Sequence, residues 1–244
     1  MNGARLDRFL GGRVEAWQPE AGFRSGLDAV LLAAAVPAGP ADTVLELGTG
    51  AGVAALCLAA RTGAKTTGLE RHPGYAALAR RNGLEVVEGD VAAMPAPLRA
   101  RQFDHVMMNP PFYERARGTA APDPAREAAL GEDVPLARWI DAGIRRVAPG
   151  GTLTSILPAG RLADGLVALD GRVGSLRVLP VAPRAGRAAV RVIVHARKGG
   201  RAPLSLLPPF VLHRADGVLG HGDTHTEAAS AVLRDGGALP IGKF

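Results

Sequence analysis

From Thr43 onward the chain alternates short apolar runs with helical patterns. Seven runs read as strands: Thr43 to Leu47, Lys65 to Glu70, Leu84 to Glu88, His105 to Asn109, Thr152 to Leu157, Leu176 to Val181 and Val190 to Ala196. Between them the spacing predicts helices over Val53 to Arg61, Gly74 to Asn82 and Leu136 to Val147. The last carries Leu136, Ile140, Ile144 and Val147 on one stripe, and Gly150-Gly151 is expected to end it. Such alternation buries a mostly parallel sheet between two helical layers. Only Ala182-Pro183-Arg184-Ala185-Gly186-Arg187 separates the final two strands. That is too short for a crossover helix, so this pair should be an antiparallel hairpin. The expected fold is α/β, a seven-stranded Rossmann-like sheet with helices on both faces and a C-terminal antiparallel hairpin.

Before the first strand, Ala29 to Val36 reads as a helix opened by a capping box, Ser25-Gly26-Leu27-Asp28, with Ser25 as N-cap. Thr224 and Glu227 suggest a second box, starting a helix that Gly236-Gly237 closes. The polar, proline-rich stretch from Tyr113 to Pro135 has no period, and loops of that length in compact domains are usually functional. No repeat or linker divides the chain. A single domain over 1–244 is expected, with an N-terminal hairpin and helix (1–41), a ligand-binding core (42–160) and C-terminal basic strands and helix (161–244).

Composition changes this picture only in part. No run approaches the ~18 apolar residues of a membrane span, and MNGARLDRFL has no secretory apolar core, so a cytoplasmic protein is expected. Cys57, the sole cysteine, excludes an intramolecular disulfide and sits between leucines as a buried helix position would. The net charge is +6, with a pI near 10.4. Arg161 to Arg201 holds nine basic residues against Asp164 and Asp170, a surplus of seven that exceeds the whole-chain total. This segment, together with the 113–135 loop, is the expected contact for an anionic partner such as RNA.

A glycine loop, Gly48-Thr49-Gly50-Ala51-Gly52, follows the first strand, where open α/β sheets bind ligands. A dinucleotide fingerprint would need its third glycine at position 53, which is valine; an ATP loop would need a lysine, and none is present. The loop suits a ligand with a ribose and a charged tail but no phosphate, of which S-adenosylmethionine is an example. Glu70 ends the second strand, where a carboxylate can accept hydrogen bonds from both ribose hydroxyls, with Arg71 beside it. Asp90, or the backbone of Val91, follows the third strand and could meet an adenine amino group. Glu46 could orient the loop or favour the ligand's ammonium. Each has a bland alternative: a surface charge for Glu70, a helix cap for Asp90, a buried hydrogen-bond partner for Glu46. Three acidic groups at three successive strand ends beside this loop carry more weight than any one of them.

The fourth strand ends in Asn109-Pro110-Pro111-Phe112. Two prolines cannot extend a sheet, so the turn is rigid and holds the Asn109 amide and the Phe112 ring in place. The fourth strand of such a sheet neighbours the first, which sets Asn109 beside Gly48 and the methyl donor. An exocyclic amine on an aromatic base is a weak nucleophile because its lone pair is delocalised into the ring. The carbonyl groups of Asn109 and Pro110 can accept its two N–H bonds and turn that lone pair toward a sulfonium methyl. Phe112, with Tyr113, would stack on a base turned out of its strand.

This arrangement resembles the class I S-adenosylmethionine-dependent amino-methyltransferases. Phe9-Leu10-Gly11-Gly12-Arg13, Phe23 to Ala33 and Ala196-Arg197-Lys198-Gly199-Gly200-Arg201 are similar to segments of the family that methylates adenine N6 in valine tRNA. The resemblance implies a methyltransferase sheet, tRNA as partner, and Asp28 near the cofactor. Other planar amines remain as acceptors, namely guanine N2, cytosine N4 or a protein glutamine, as does a non-catalytic RNA-binding role on the same scaffold. A metal site at His221 and His225 is disfavoured, because Gly222 and the helix start at Thr224 keep the pair off a common helical face.

Overall fold

The computed structural model describes residues 3–111, 134–214 and 224–242. A two-stranded antiparallel ribbon, β1 (Ala4–Phe9) and β2 (Val14–Pro19), precedes helix α1 (Leu27–Ala35). The core then runs β3 (Thr43–Leu47), α2 (Val53–Thr62), β4 (Lys65–Glu70), α3 (Pro73–Arg81), β5 (Glu85–Glu88), the short α4 (Ala96–Arg99) and β6 (Phe103–Met108). Next come α5 (Leu136–Arg146), β7 (Val147–Pro158), α6 (Leu162–Leu169), β8 (Gly174–Arg184) and β9 (Arg191–Arg197). Two short strands, β10 (Ser205–Leu206) and β11 (Phe210–His213), and helix α7 (Glu227–Leu233) complete the described elements. Among the described residues no helix is long and apolar enough to cross a membrane.

The central sheet has the order β10-β8-β9-β7-β6-β3-β4-β5, with β11 also on β8. Strands β5, β4, β3, β6 and β7 are mutually parallel, and β9 is antiparallel to both β7 and β8. The seven predicted strands and the hairpin are all present; β10 and β11 add two more, both parallel to β8. Alternation along each strand feeds two cores. Met107 of β6 points to the side of Leu31, Leu32 and Leu58, whereas Val106 and Met108 point to the side of Trp139 and Ile140. Cys57 is buried beneath α1, and burial pushes its thiol up to about 12, so it is chemically quiet at neutral pH.

Three cap assignments are corrected. Helix α1 starts at Leu27 with Gly26 as N-cap and no side-chain cap. Ser25 is held instead by Gln18, whose Oε1 accepts from the Ser25 amide at 2.7 Å and whose amide donates to the Ser25 carbonyl at 3.1 Å. The Asp28 carboxylate accepts from Arg191 Nε at 2.9 Å, a partner 163 residues away that no local pattern announces. At the C-terminus the cap is Thr226, whose hydroxyl accepts from the Ala229 amide at 3.1 Å, while Thr224 bonds His213 at 2.9 Å. Helix α5 ends at Arg146, and Gly150-Gly151 lies inside β7, where the register against β6 shifts. A β-carbon on Gly151 would sit 2.5 Å from the Asp104 carbonyl, so Gly151 permits a close approach of β7 to β6, and the glycine pair is not a helix stop.

Candidate active site

The C-terminal ends of β3, β4, β5 and β6 open into one cavity of about 260 Å³. Its wall contains Glu46, Gly48, Thr49, Gly50, Glu70, Arg71, Asp90, Val91, Asn109, Pro110 and Pro111. Of the predicted residues, Asp28 and Gly52 do not line it, and Phe112 lies outside the described residues. Asp28 is on α1, whose next residue, Ala29, does reach the wall, but its own carboxylate is occupied by Arg191. Gly52 acts one step back: at φ 87° it is the N-cap of α2, and its amide donates to the Thr49 carbonyl at 2.9 Å.

The loop is built by main-chain bonds across to β4. The amides of Gly48 and Thr49 both donate to the Leu69 carbonyl, at 2.8 and 3.0 Å. Gly48 has a φ of 68°, and a β-carbon there would sit 2.7 Å from the Trp139 ring, so glycine is required on both counts. At Gly50, with φ 58°, nothing lies within 4 Å of such a carbon, which leaves open space over bare backbone.

Two carboxylates brace this loop. Glu46 is buried and accepts from the Thr49 hydroxyl at 2.6 Å and the Ala55 amide at 3.1 Å, tying β3, loop and α2 together. Burial pushes its carboxyl up to about 8, with the nearby Glu70 charge adding to the rise and the two hydrogen bonds opposing it. Glu70 accepts from the Gly50 amide at 2.9 Å through one oxygen and from the His72 amide at 2.7 Å through the other. A carboxylate oxygen has two acceptor positions, so each retains one for a ligand hydroxyl. Asp90 accepts from the Ala92 amide at 2.7 Å and lies 3.5 Å from the Arg71 guanidinium. It is therefore both the cap the bland reading foresaw and a wall of the cavity.

Asn109 arrives beside Gly48 through strand register. Leu47 of β3 pairs with Met108 of β6, so the next residue on each strand, Gly48 and Asn109, begins its exit loop at the same level. The wall also contains residues that sequence reading passed over: Phe23, Ser25, His72, Tyr75, Val134 and Trp139. The Tyr75 hydroxyl donates to the Phe23 carbonyl at 3.0 Å and accepts from the Phe23 amide at 2.9 Å, pinning the segment before α1 over α3. Nothing local signals that bracket. Trp139 was legible, since it completes an i, i+3, i+4 set with Leu136 and Ile140 on the apolar face of α5. His213 stacks on His225 at 5.0 Å, and His221 lies outside the described residues.

The donor set fits S-adenosylmethionine: free acceptor positions on Glu70 for a ribose, a carboxylate and the Val91 backbone for an adenine, and side-chain-free backbone at Gly50 for the amino-acid tail. Comparison with known proteins agrees. Residues 44–129 match a family model described as a methyltransferase domain. A tRNA1(Val) (adenine(37)-N6)-methyltransferase from Actinobacillus succinogenes is 31% identical over 189 residues, spanning 72% of this chain and 77% of the relative. The chain belongs to that family. An enzyme of the same name from Aeromonas hydrophila is 29% identical over 208 residues, 80% of this chain and 84% of its own. Among solved structures, one described as a predicted O-methyltransferase from Agrobacterium tumefaciens aligns with a TM-score of 0.70 and 29% identity, covering 87% of this chain and 98% of its own. The Thermus thermophilus 16S rRNA N2 G1207 methyltransferase aligns at a TM-score of 0.53 with 19% identity, covering 80% of this chain and 50% of its own, a likeness of fold alone. The chain is thus an S-adenosylmethionine-dependent N-methyltransferase of class I fold.

Proposed function

We propose that this methyltransferase modifies the exocyclic N6 of an adenine in tRNA, the position its relatives' names give being adenine 37 of tRNA1(Val). The observation that carries the reading is the parallel pairing of Leu47 with Met108, which brings the Gly48 and Asn109 exit loops into one cavity. S-adenosylmethionine supplies the electrophilic methyl group. Asn109 Oδ1 and the Pro110 carbonyl accept the two N–H bonds of the target amine and orient its lone pair away from the base plane. Pro110-Pro111 fixes both acceptors in advance, so little reorganisation is needed at the moment of transfer. A neutral carboxamide takes up no proton; the amine proton leaves to water once nitrogen has become cationic. Phe112 is the ring this reading assigns to stack on the extruded base. Glu70 holds the ribose, and Asp90 with Val91 the adenine, of the cofactor.

An RNA substrate fits the positive balance of residues 161–201. The test is incubation of the protein with isotope-labelled S-adenosylmethionine and total tRNA, followed by mass spectrometry of the digested nucleosides. N6-methyladenosine is expected. Label on guanosine or cytidine, or none that ribonuclease releases, overturns the reading.

A further inference from the structure

The basic segment is not one surface. Strand register divides its nine cations between opposite ends of the sheet. Arg191 pairs with Pro158 of β7, three residues beyond Ser155, which is level with Met108. It therefore lies at the same edge as Asn109. Arg197 pairs with Thr152, which is level with His105, so it faces the other way. Six residues of strand put ~20 Å between the two ends.

The cations at the far end have structural work. Lys198 Nζ donates to the carbonyls of Ile144 and Val147, at 3.0 and 2.7 Å, closing the C-terminus of α5. Arg197 Nε donates to the Gly150 carbonyl at 3.2 Å, Arg177 to the Ile241 carbonyl at 2.8 Å, and Arg172 pairs with Asp141 at 2.6 Å. Arg201, also at that end and exposed, has no side-chain partner among the described residues.

At the active-site edge, Arg161 pairs with Asp164 at 2.8 Å and Arg191 with Asp28 at 2.9 Å. Arg184, the last residue of β8, and Arg187, on the β8–β9 turn that follows, are exposed, and neither guanidinium has a partner among the described residues. Arg184 stands three residues past Val181, the partner of Arg191, and level with His213 of β11, so the end of β8 and the turn after it project ~10 Å beyond the first residue of β9. Two strand spacings, ~10 Å, separate β9 from β6. The Asp28–Arg191 pair anchors the base of this turn to α1, whose N-terminal end forms part of the cavity wall.

Resting on the tRNA reading above, we infer that the β8–β9 turn is the phosphate-contacting finger of this enzyme. Arg184 and Arg187 grip the RNA backbone beside the extruded adenine, and the rest of the basic segment makes no contact with it. Free guanidinium groups are suited to this, because each can meet a phosphate with two parallel hydrogen bonds.

The test compares Arg184→Ala/Arg187→Ala, Arg184→Lys/Arg187→Lys and Arg201→Ala. Equilibrium binding of tRNA is measured without turnover, in the presence of S-adenosylhomocysteine, over a range of salt. Each lost phosphate contact removes ~0.7 to 0.9 from the slope of log affinity against log salt, so the double alanine variant should lose about 1.4 to 1.8 and bind tRNA ~25- to 60-fold more weakly near 0.1 M salt. The lysine pair should recover most of the slope, Arg201→Ala should match wild type, and S-adenosylhomocysteine affinity should not move. An unchanged slope in the alanine pair, or an equal loss in Arg201→Ala, overturns the proposal. Because binding is read without methyl transfer, a wild-type protein that binds tRNA but methylates no adenine would sink the function and leave the finger standing.

Discussion

The Trp139 indole occupies the space that a β-carbon on Gly48 would need, 2.7 Å from its ideal position. Helix α5 thus reads the first glycine of the loop directly through a ring. Gly48→Ala must accommodate both a left-handed alanine and that collision, a loss of about 2 to 4 kcal/mol in unfolding free energy. Gly50→Ala carries only the backbone term, about 1 to 2 kcal/mol, since its β-carbon meets nothing within 4 Å. Urea unfolding of the two variants checks this; equal losses would mean the ring yields freely.

Glu70 joins β4 to the loop above β3 through the Gly50 amide. Glu70→Ala removes that acceptor together with the positions assigned to the ribose. Hydrogen bonds to a charged group contribute about 1.5 to 3 kcal/mol each, so loss of the first alone should weaken S-adenosylhomocysteine binding ~10- to 100-fold, and loss of both by more, with the circular dichroism spectrum unchanged. Calorimetric titration gives the number, and wild-type affinity in the variant would refute the assignment.

Asn109→Ala should leave cofactor binding within a few-fold of wild type while slowing single-turnover methyl transfer by ~100-fold or more, as loss of one preorganised transition-state hydrogen bond does. Wild-type transfer rates would remove Asn109 from the chemistry. Loss of cofactor binding instead would reassign it to holding the cofactor.

Glu46 makes stability depend on pH with a definite sign. Its carboxyl is pushed from 4.5 up to about 8 in the folded protein. Between those values the folded state holds a proton that the unfolded chain has released, so stability is highest below the lower value and falls as pH rises toward the upper one. Glu46→Gln keeps the shape and the acceptor oxygen without the titration. The difference in unfolding free energy between wild type and variant should therefore shift against wild type from pH 5 to pH 8. Parallel profiles across that range would show that the group is already ionised.

The sequence by itself determined the α/β alternation, the parallel core, the antiparallel end of the sheet, and the three acidic groups and asparagine at successive strand ends. These are periodic or positional signals: a strand's alternation and the loop that follows it are written in consecutive residues, and parallel strand order then brings the loops to one edge. Caps were misplaced where another side chain claimed the residue, as Gln18 does the Ser25 backbone from seven residues back and Arg191 the Asp28 carboxylate from 163 residues away. Tyr75 on Phe23 and Trp139 against Gly48 were contacts that only packing decided, since the pairs are 52 and 91 residues apart. The basic segment shows the same division. Its charge is countable from composition, but which cations face the asparagine and which cap α5 depends on antiparallel register, which sends residues seven apart in sequence to opposite ends of the sheet.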